Sequence, residues 1–381
     1  STAMSLLLGL FGLLSIELGG SGAHPLANGD VPETLRPFFA PPAAFAGDFG
    51  AYRSVLEFND GSRVRTVEDW QRRREEILAA WRELTGSWPP LIENPKVQYL
   101  DQTQRDDLTQ HKVIVEIAPG DQTVAGYLLV PKGQGPFPTV LVVYYDAETG
   151  AGLGKELRDF GYQLARRGFV TLSIGTPAFA SLNAPYKPLW DVPEGQPPLQ
   201  PLSALAYVAA NCHTALADRP DVDPDRIGIV GHSYGGKWAM FASCLYDRFA
   251  CGVWSDPGIV FREDRPSINY WEPWYLGYHP KPWRKRGMMT PENPGRGLYL
   301  KLREEGLDLT DLHALMAPRP FLVSGGAEDP PERWNALRHA IQVNTLLGAT
   351  NRVAMTNRPK HAPNAESNEQ IYRFLEQVLR P

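Results

Sequence analysis

One stretch limits the possible folds of this chain more than any other. Arg226-Ile227-Gly228-Ile229-Val230 reads as a buried strand, Gly231-His232-Ser233-Tyr234-Gly235 matches Gly-x-Ser-x-Gly, and Tyr234 to Leu245 reads as a helix. A strand that passes through this motif straight into a helix needs a tight turn whose flanking positions carry no side chain. The turn lifts the Ser233 hydroxyl above the sheet edge. It also places it at a helix N-terminus, where unpaired N–H groups face any developing oxyanion. Gly-x-Ser-x-Gly alone matches often by chance; the strand before it and the helix after it make it specific.

The surrounding pattern fits such a turn. Thr139 to Tyr145 is a continuous apolar run, as expected of a strand buried on both faces. Strands are expected also at 169–174, 251–255, 320–324 and 352–356, and helices at 156–167, 202–216, 332–347 and 366–379. Strands alternating with helices imply α/β architecture, a mostly parallel central sheet flanked by helices. Earlier strands at about 96–101, 111–118 and 122–131 fit an antiparallel start to the sheet. Thr66-Val67-Glu68-Asp69 resembles a capping box with Asp in place of Glu, opening a helix that stops at Gly86. Residues 1–95 are expected to form an N-terminal extension, and 96–381 the main domain. Segments 175–200 and 256–313 break the alternation and leave strand C-terminal ends, so they read as lid or insert segments.

Composition excludes several classes. The net charge of −5 gives no basic surplus for nucleic acid. Three cysteines make no disulfide framework and read as buried thiols. There is no zinc-finger spacing, HExxH or EF-hand loop, and the pattern requires no cofactor. The apolar run Ser5 to Ile16 is too short to span a membrane. Followed by Ser21-Gly22-Ala23, it fits either a signal peptide lacking a basic start or an apolar arm packed on the domain. The first reading implies a secreted or periplasmic protein, the second a cytoplasmic one.

A serine hydroxyl needs a base, and the base an orienting carboxylate. His361 follows the last strand and precedes the last helix, where the base of such a fold belongs. His279 and His313 are less well placed, and His339 falls within a helix. Asp329, after the strand 320–324, is the preferred acid. Glu328 beside it and Asp256, at the end of the preceding strand, are the alternatives. The Tyr234 N–H is one expected oxyanion donor, and Tyr145 or Asp146 supplies the other. Between Trp254 and Trp283 lie Trp271, Trp274, Phe261, Tyr270, Tyr275 and Tyr278, and Arg262, Arg265, Arg284, Lys285 and Arg286 occupy the same region. Aromatic faces suit sugar or aryl rings and arginines suit carboxylates. Trp271, Trp274, Arg262 and Arg265 are therefore candidate contacts for an acidic, carbohydrate-like substrate.

The run Val222 to Gly236 resembles the elbow of dienelactone-hydrolase-like and acetyl xylan esterase-like α/β hydrolases, which are bacterial esterases. The resemblance covers about residues 110–380 and implies an α/β-hydrolase fold and carboxylic-ester hydrolysis. Gly325-Gly326-Ala327-Glu328-Asp329-Pro330-Pro331 is similar to the acid loop of sugar acetyl esterases, which implies Asp329 as the acid. There is also a partial resemblance to glucuronoyl esterases, whose elbow has Ser, then Arg, then after two positions a Lys that contacts the uronate. Lys237 stands at that Lys position, which implies a substrate contact. Leu315-Met316-Ala317-Pro318-Arg319-Pro320 looks like their stretch before the late strand, and Asp256 falls near an acid position that some of them use. Tyr234 stands where their Arg belongs, so uronate specificity does not carry over with the fold.

The expected activity is that of a serine ester hydrolase working through an acyl-enzyme, on an acetyl or glucuronoyl ester linked to carbohydrate. A prolyl-oligopeptidase-type peptidase shares the elbow, but needs an N-terminal propeller that about 100 irregular residues do not build. A binding protein on the same fold would show a broken triad, whereas all three residue types are present.

Overall fold

The computed structural model describes residues 31–180 and 194–380. The apolar run 5–16, Ser21-Gly22-Ala23 and part of the 175–200 insert lie outside the described residues. Among the described residues, nine strands form one sheet in the order β1-β2-β3-β5-β4-β6-β7-β8-β9. They are β1 Val97–Arg105, β2 Leu108–Ala118, β3 Gln122–Pro131, β4 Phe137–Val143, β5 Val170–Ile174, β6 Val222–His232, β7 Cys251–Ser255, β8 Phe321–Gly325 and β9 Val353–Asn357. The first three pair antiparallel and β3 meets β5 antiparallel. From β5 through β4 to β9 every pairing is parallel.

The helices are α1 Val67–Thr85, α2 Ala147–Gly150, α3 Phe160–Arg166, α4 Pro201–Ala217 and α5 Tyr234–Leu245, then α6 Leu298–Glu304, α7 Leu309–Ala314, α8 Trp334–Leu346 and α9 Ala365–Leu379. The helix expected from residue 156 begins at Phe160. Gly152, Gly154 and a left-handed Leu157 (φ 61°) hold the preceding stretch in turns, and Asn368 donates to the Leu157 carbonyl at 2.9 Å.

The central strands feed two cores by simple alternation. Leu141 and Val143 of β4, Ile229 of β6 and Val323 of β8 point to one face, with α1, α4, α5, α7 and α8. Val140 and Val142, Val230 and Leu322 point to the other, with α3 and α9. This is why these strands read as unbroken apolar runs. The Thr66 capping box closes despite the shorter Asp69: Thr66 Oγ1 accepts from the Asp69 N–H at 3.0 Å, and Asp69 Oδ2 from the Thr66 N–H at 3.2 Å. All three cysteines are buried free thiols. Among the described residues, no helix is long and apolar enough to cross a membrane.

The chain leaves β4 on one side to form β5, then returns to its other side to form β6. Ligand crevices of α/β sheets open at such a reversal, outside the strand C-terminal ends. The ends of β4, β6, β7, β8 and β9 lie side by side there.

The helix α1 belongs to the first core, through buried Trp70, Ile77 and Trp81; the Trp81 ring meets Phe241 edge-on at 6.0 Å. Trp81→Ala is expected to cost about 3–5 kcal/mol in a single urea transition. Two separate transitions would show that the N-terminal part unfolds independently.

Candidate active site

Ser233 sits at the turn from β6 into α5 with φ 58° and ψ −112°. This left-handed conformation is strained for serine and is imposed by close packing around it. A Cβ on Gly231 would lie 2.1 Å from the Gly235 carbonyl oxygen, and one on Gly235 would lie 2.2 Å from that of Val143. The two motif glycines therefore let the turn close and let it press against the end of β4. The Ser233 N–H donates to the Ser255 carbonyl at 2.7 Å, fixing the turn to β7 as well.

His361 Nε2 lies 2.8 Å from Ser233 Oγ, and its Nδ1 lies 2.6 Å from Asp256 Oδ2. The imidazole is 39% exposed while the carboxylate is fully buried, so the base is open to substrate and its orienting acid is not. Asp256 itself is left-handed, with φ 47°. Its carboxylate also accepts the N–H groups of Gly326 (2.5 Å), Asp329 (2.9 Å) and Glu328 (3.2 Å).

The preference for Asp329 is corrected by this geometry. Asp329 faces away from His361, and its two oxygens accept the N–H groups of Gly258 at 2.9 Å and Ile259 at 2.8 Å. The carboxylates of Asp256 and Asp329 thus each hold the backbone of the other's loop. Burial and the adjacent Asp256 push the Asp329 carboxyl up to about 7. Glu328 is also turned away from the base; Arg265 contacts both of its oxygens at 3.3 Å.

Two residues with no role expected from the sequence complete the support. The buried Arg358 donates to Ser324 Oγ (2.9 Å), Ser255 Oγ (3.1 Å) and the His361 carbonyl (2.7 Å), tying the histidine loop to β7 and β8. His232 lies under His361 with ring centroids 4.8 Å apart and bonds Ser255 Oγ at 2.8 Å. Burial, then His361 and Arg358, hold it well below the usual histidine range, so it is neutral. The sequence signal was present in both cases: an arginine three residues before the base, and a histidine inside the motif. The remaining histidines have other surroundings. His313 is buried against Trp254 and Phe321, and His339 bonds the Phe49 carbonyl at 2.8 Å.

The Tyr234 N–H opens α5, before any helical carbonyl can claim it. Its ring is buried and stacks on Tyr145 at 4.6 Å and 14°. Tyr145 lies just past β4, beside the elbow. Asp146 uses its side chain to cap α2, accepting the Thr149 N–H at 2.7 Å.

The expected substrate contacts separate into two groups. Lys237 is buried, and its ammonium donates to the carbonyls of Pro257 (2.7 Å) and Ser267 (3.3 Å), with the Tyr270 and Tyr275 rings about it. Burial lowers it to about 8, against the opposing pull of Asp329. It ties α5 to the insert instead of facing open space. Trp271 is buried and donates to the Gly287 carbonyl at 3.0 Å. Arg262 is paired with Asp264 at 2.6 Å, and Arg265 with Glu328. Trp274 is half-buried, at the rim with Trp283.

Comparison with known proteins agrees with this arrangement of strands. Residues 209–379 match the model of the prolyl oligopeptidase family. A glucuronoyl esterase from Solibacter usitatus superposes with a TM-score of 0.69, covering 86% of this chain and 98% of that one at 19% identity. The chain has the α/β-hydrolase fold. Among curated proteins, it is 26% identical over 134 residues to a Synechocystis sp. protein named as a carboxymethylenebutenolidase, covering 34% of this chain and 51% of that one. It is 23% identical over 228 residues to a 4-O-methyl-glucuronoyl methylesterase of Schizophyllum commune, covering 57% of this chain and 52% of that one. The chain thus spans about half the length of the curated relatives it matches.

The two shifted buried groups give opposite pH slopes. Asp329 binds its proton more tightly folded than unfolded, so its contribution to stability falls as pH rises from 3.8 to about 7. Lys237 binds its proton less tightly folded, so its contribution rises between about 8 and 10.5. Urea midpoints across these windows are expected to lose the first slope in Asp329→Asn and the second in Lys237→Met.

Proposed function

We propose that this protein is a serine carboxylic-ester hydrolase acting through an acyl-enzyme on a carbohydrate-linked ester. The observation that carries this reading is the unbroken hydrogen-bonded chain from Ser233 Oγ through His361 to Asp256. Ser233 gives its proton to His361 Nε2 as its oxygen attacks the ester carbonyl. Asp256 holds the imidazole in the tautomer with a proton on Nδ1 and stabilises the imidazolium that forms. The tetrahedral oxyanion is held by the Tyr234 N–H and by an N–H of Tyr145 or Asp146. His361 then returns the proton to the leaving alcohol, and water releases the acid by the same steps reversed.

The glucuronoyl esterase likenesses support a bulky glucuronoyl ester ahead of an acetyl ester. The elbow differs from theirs: Tyr234 is packed into the aromatic cluster, so the backbone must supply what an arginine side chain there would add. The match to the prolyl oligopeptidase family supports a peptidase as the second reading, on the same catalytic groups.

Hydrolysis of benzyl glucuronoate, an acetylated xylo-oligosaccharide and a prolyl peptide tests both readings. Ser233→Ala is expected to abolish turnover and labelling by a fluorophosphonate. Asp256→Asn is expected to lower kcat about 10³–10⁴-fold, by favouring the wrong tautomer. Asp329→Asn, which loses one backbone hydrogen bond, is expected to lower it only about tenfold. Equal losses in the two Asp variants would overturn the assignment of the acid. Cleavage of the peptide alone would overturn the esterase reading.

A further inference from the structure

The segment Lys281-Pro282-Trp283-Arg284-Lys285-Arg286 carries four basic residues in six, within a chain of net charge −5. One of the four is turned inward. Buried Arg284 pairs with Glu272 and donates to the carbonyls of Gly287, Met288, Asn293 and Pro294. Lys285 and Arg286 are exposed. Among the described residues neither has an ion-pair partner, and the nearby Glu272 is already taken by Arg284 and the Gly287 N–H.

The Arg286 guanidinium lies 5.5 Å from the centre of the Trp274 ring. From Trp274 an aromatic run leads to the elbow: Tyr275 at 6.1 Å, Tyr234 at 6.3 Å from Tyr275, and Tyr145 stacked on Tyr234 at 4.6 Å. Tyr145 is 52% exposed although one face is covered by Tyr234. Arg286 is near enough to oppose the upward push of burial on the Tyr145 hydroxyl. A tyrosine ring half in solvent beside the nucleophile suits the flat face of a sugar or aryl ring. An arginine braced on an aromatic ring, with no acid of its own, suits a carboxylate.

We propose that Arg286 and Lys285, with the Tyr145 ring, bind a free carboxylate carried on a ring next to the ester, so that the preferred substrate is an anionic ester. This rests on the ester hydrolase reading above; in a glucuronoyl ester the uronate carboxyl is itself esterified, so the free carboxylate is that of a different unit from the acyl group. The carboxylate can come from a uronate unit or from an aromatic acid, and the rim chemistry is the same for both. A local cationic rim on an acidic protein also steers such substrates to the site, an effect that salt screens.

The test compares an acetylated xylo-oligosaccharide with and without a glucuronate side group, and 4-acetoxybenzoate with phenyl acetate, at low and high salt. Wild type is expected to favour the acidic member of at least one pair about tenfold in kcat/KM at low salt, and less at high salt. The Arg286→Gln, Lys285→Gln double variant is expected to lose that preference and its salt dependence. The pair that shows it identifies the source of the carboxylate. No preference, or an equal one in the variant, overturns the proposal. If the fluorophosphonate labels Ser233 but no ester of either pair is cleaved, this substrate assignment fails while the nucleophile stands. Absence of labelling instead removes the hydrolase reading.

Discussion

The Asp256 carboxylate is the interaction on which the rest of the site depends. It accepts three backbone N–H groups from the loop after β8 as well as the imidazole of His361. A buried carboxylate that accepts so many hydrogen bonds has its oxygens fully occupied and fixed in place. The loops after β7, β8 and β9 are thereby locked in one register. Asp329 reciprocates by gripping the residues that follow Asp256, and Arg358 ties the base to the same strand ends. The strained backbone of Ser233 and of Asp256 persists because these contacts over-determine it.

Much of the architecture could be read from the chain because its central strands are buried on both faces. Their apolar runs and the helices between them left little choice of sheet. Ser233 and His361 could be placed because each lies at a fixed point of that alternation. Residue order misplaces the acid onto Asp329, since Asp256, Glu328 and Asp329 end adjacent strands. Which one faces the base depends on the left-handed turn at Asp256 and on the pairing of β7 with β8. Neither leaves a trace in residue order. Lys237 fails for a related reason: its place in the first turn of α5 is evident, but the carbonyls of Pro257 and Ser267 that capture it come from a distant insert.

The insert 256–313 does two jobs that its composition blends together. Tyr270, Trp271, Tyr275 and Tyr299 are buried and form the body of the insert. The pair Glu272–Arg284 pins one of its loops from within. The residues left at the rim are fewer, and differ from those that composition brings forward first. Arg262 and Arg265 are neutralised by acids close by, whereas Arg286 stays uncompensated among the described residues. Counting arginines in a segment therefore says less about its ligand than finding which of them lack a carboxylate.

The three buried thiols have a consequence for what stabilises this molecule. Burial pushes Cys212 and Cys251 up to about 12 and Cys244 further in the same direction, so none carries thiolate at physiological pH. No disulfide holds the described fold together, and no cysteine thiol is exposed to oxidants or electrophiles. The described fold therefore draws none of its stability from thiol–disulfide chemistry, and its three thiols become reactive only where local unfolding opens the core around them.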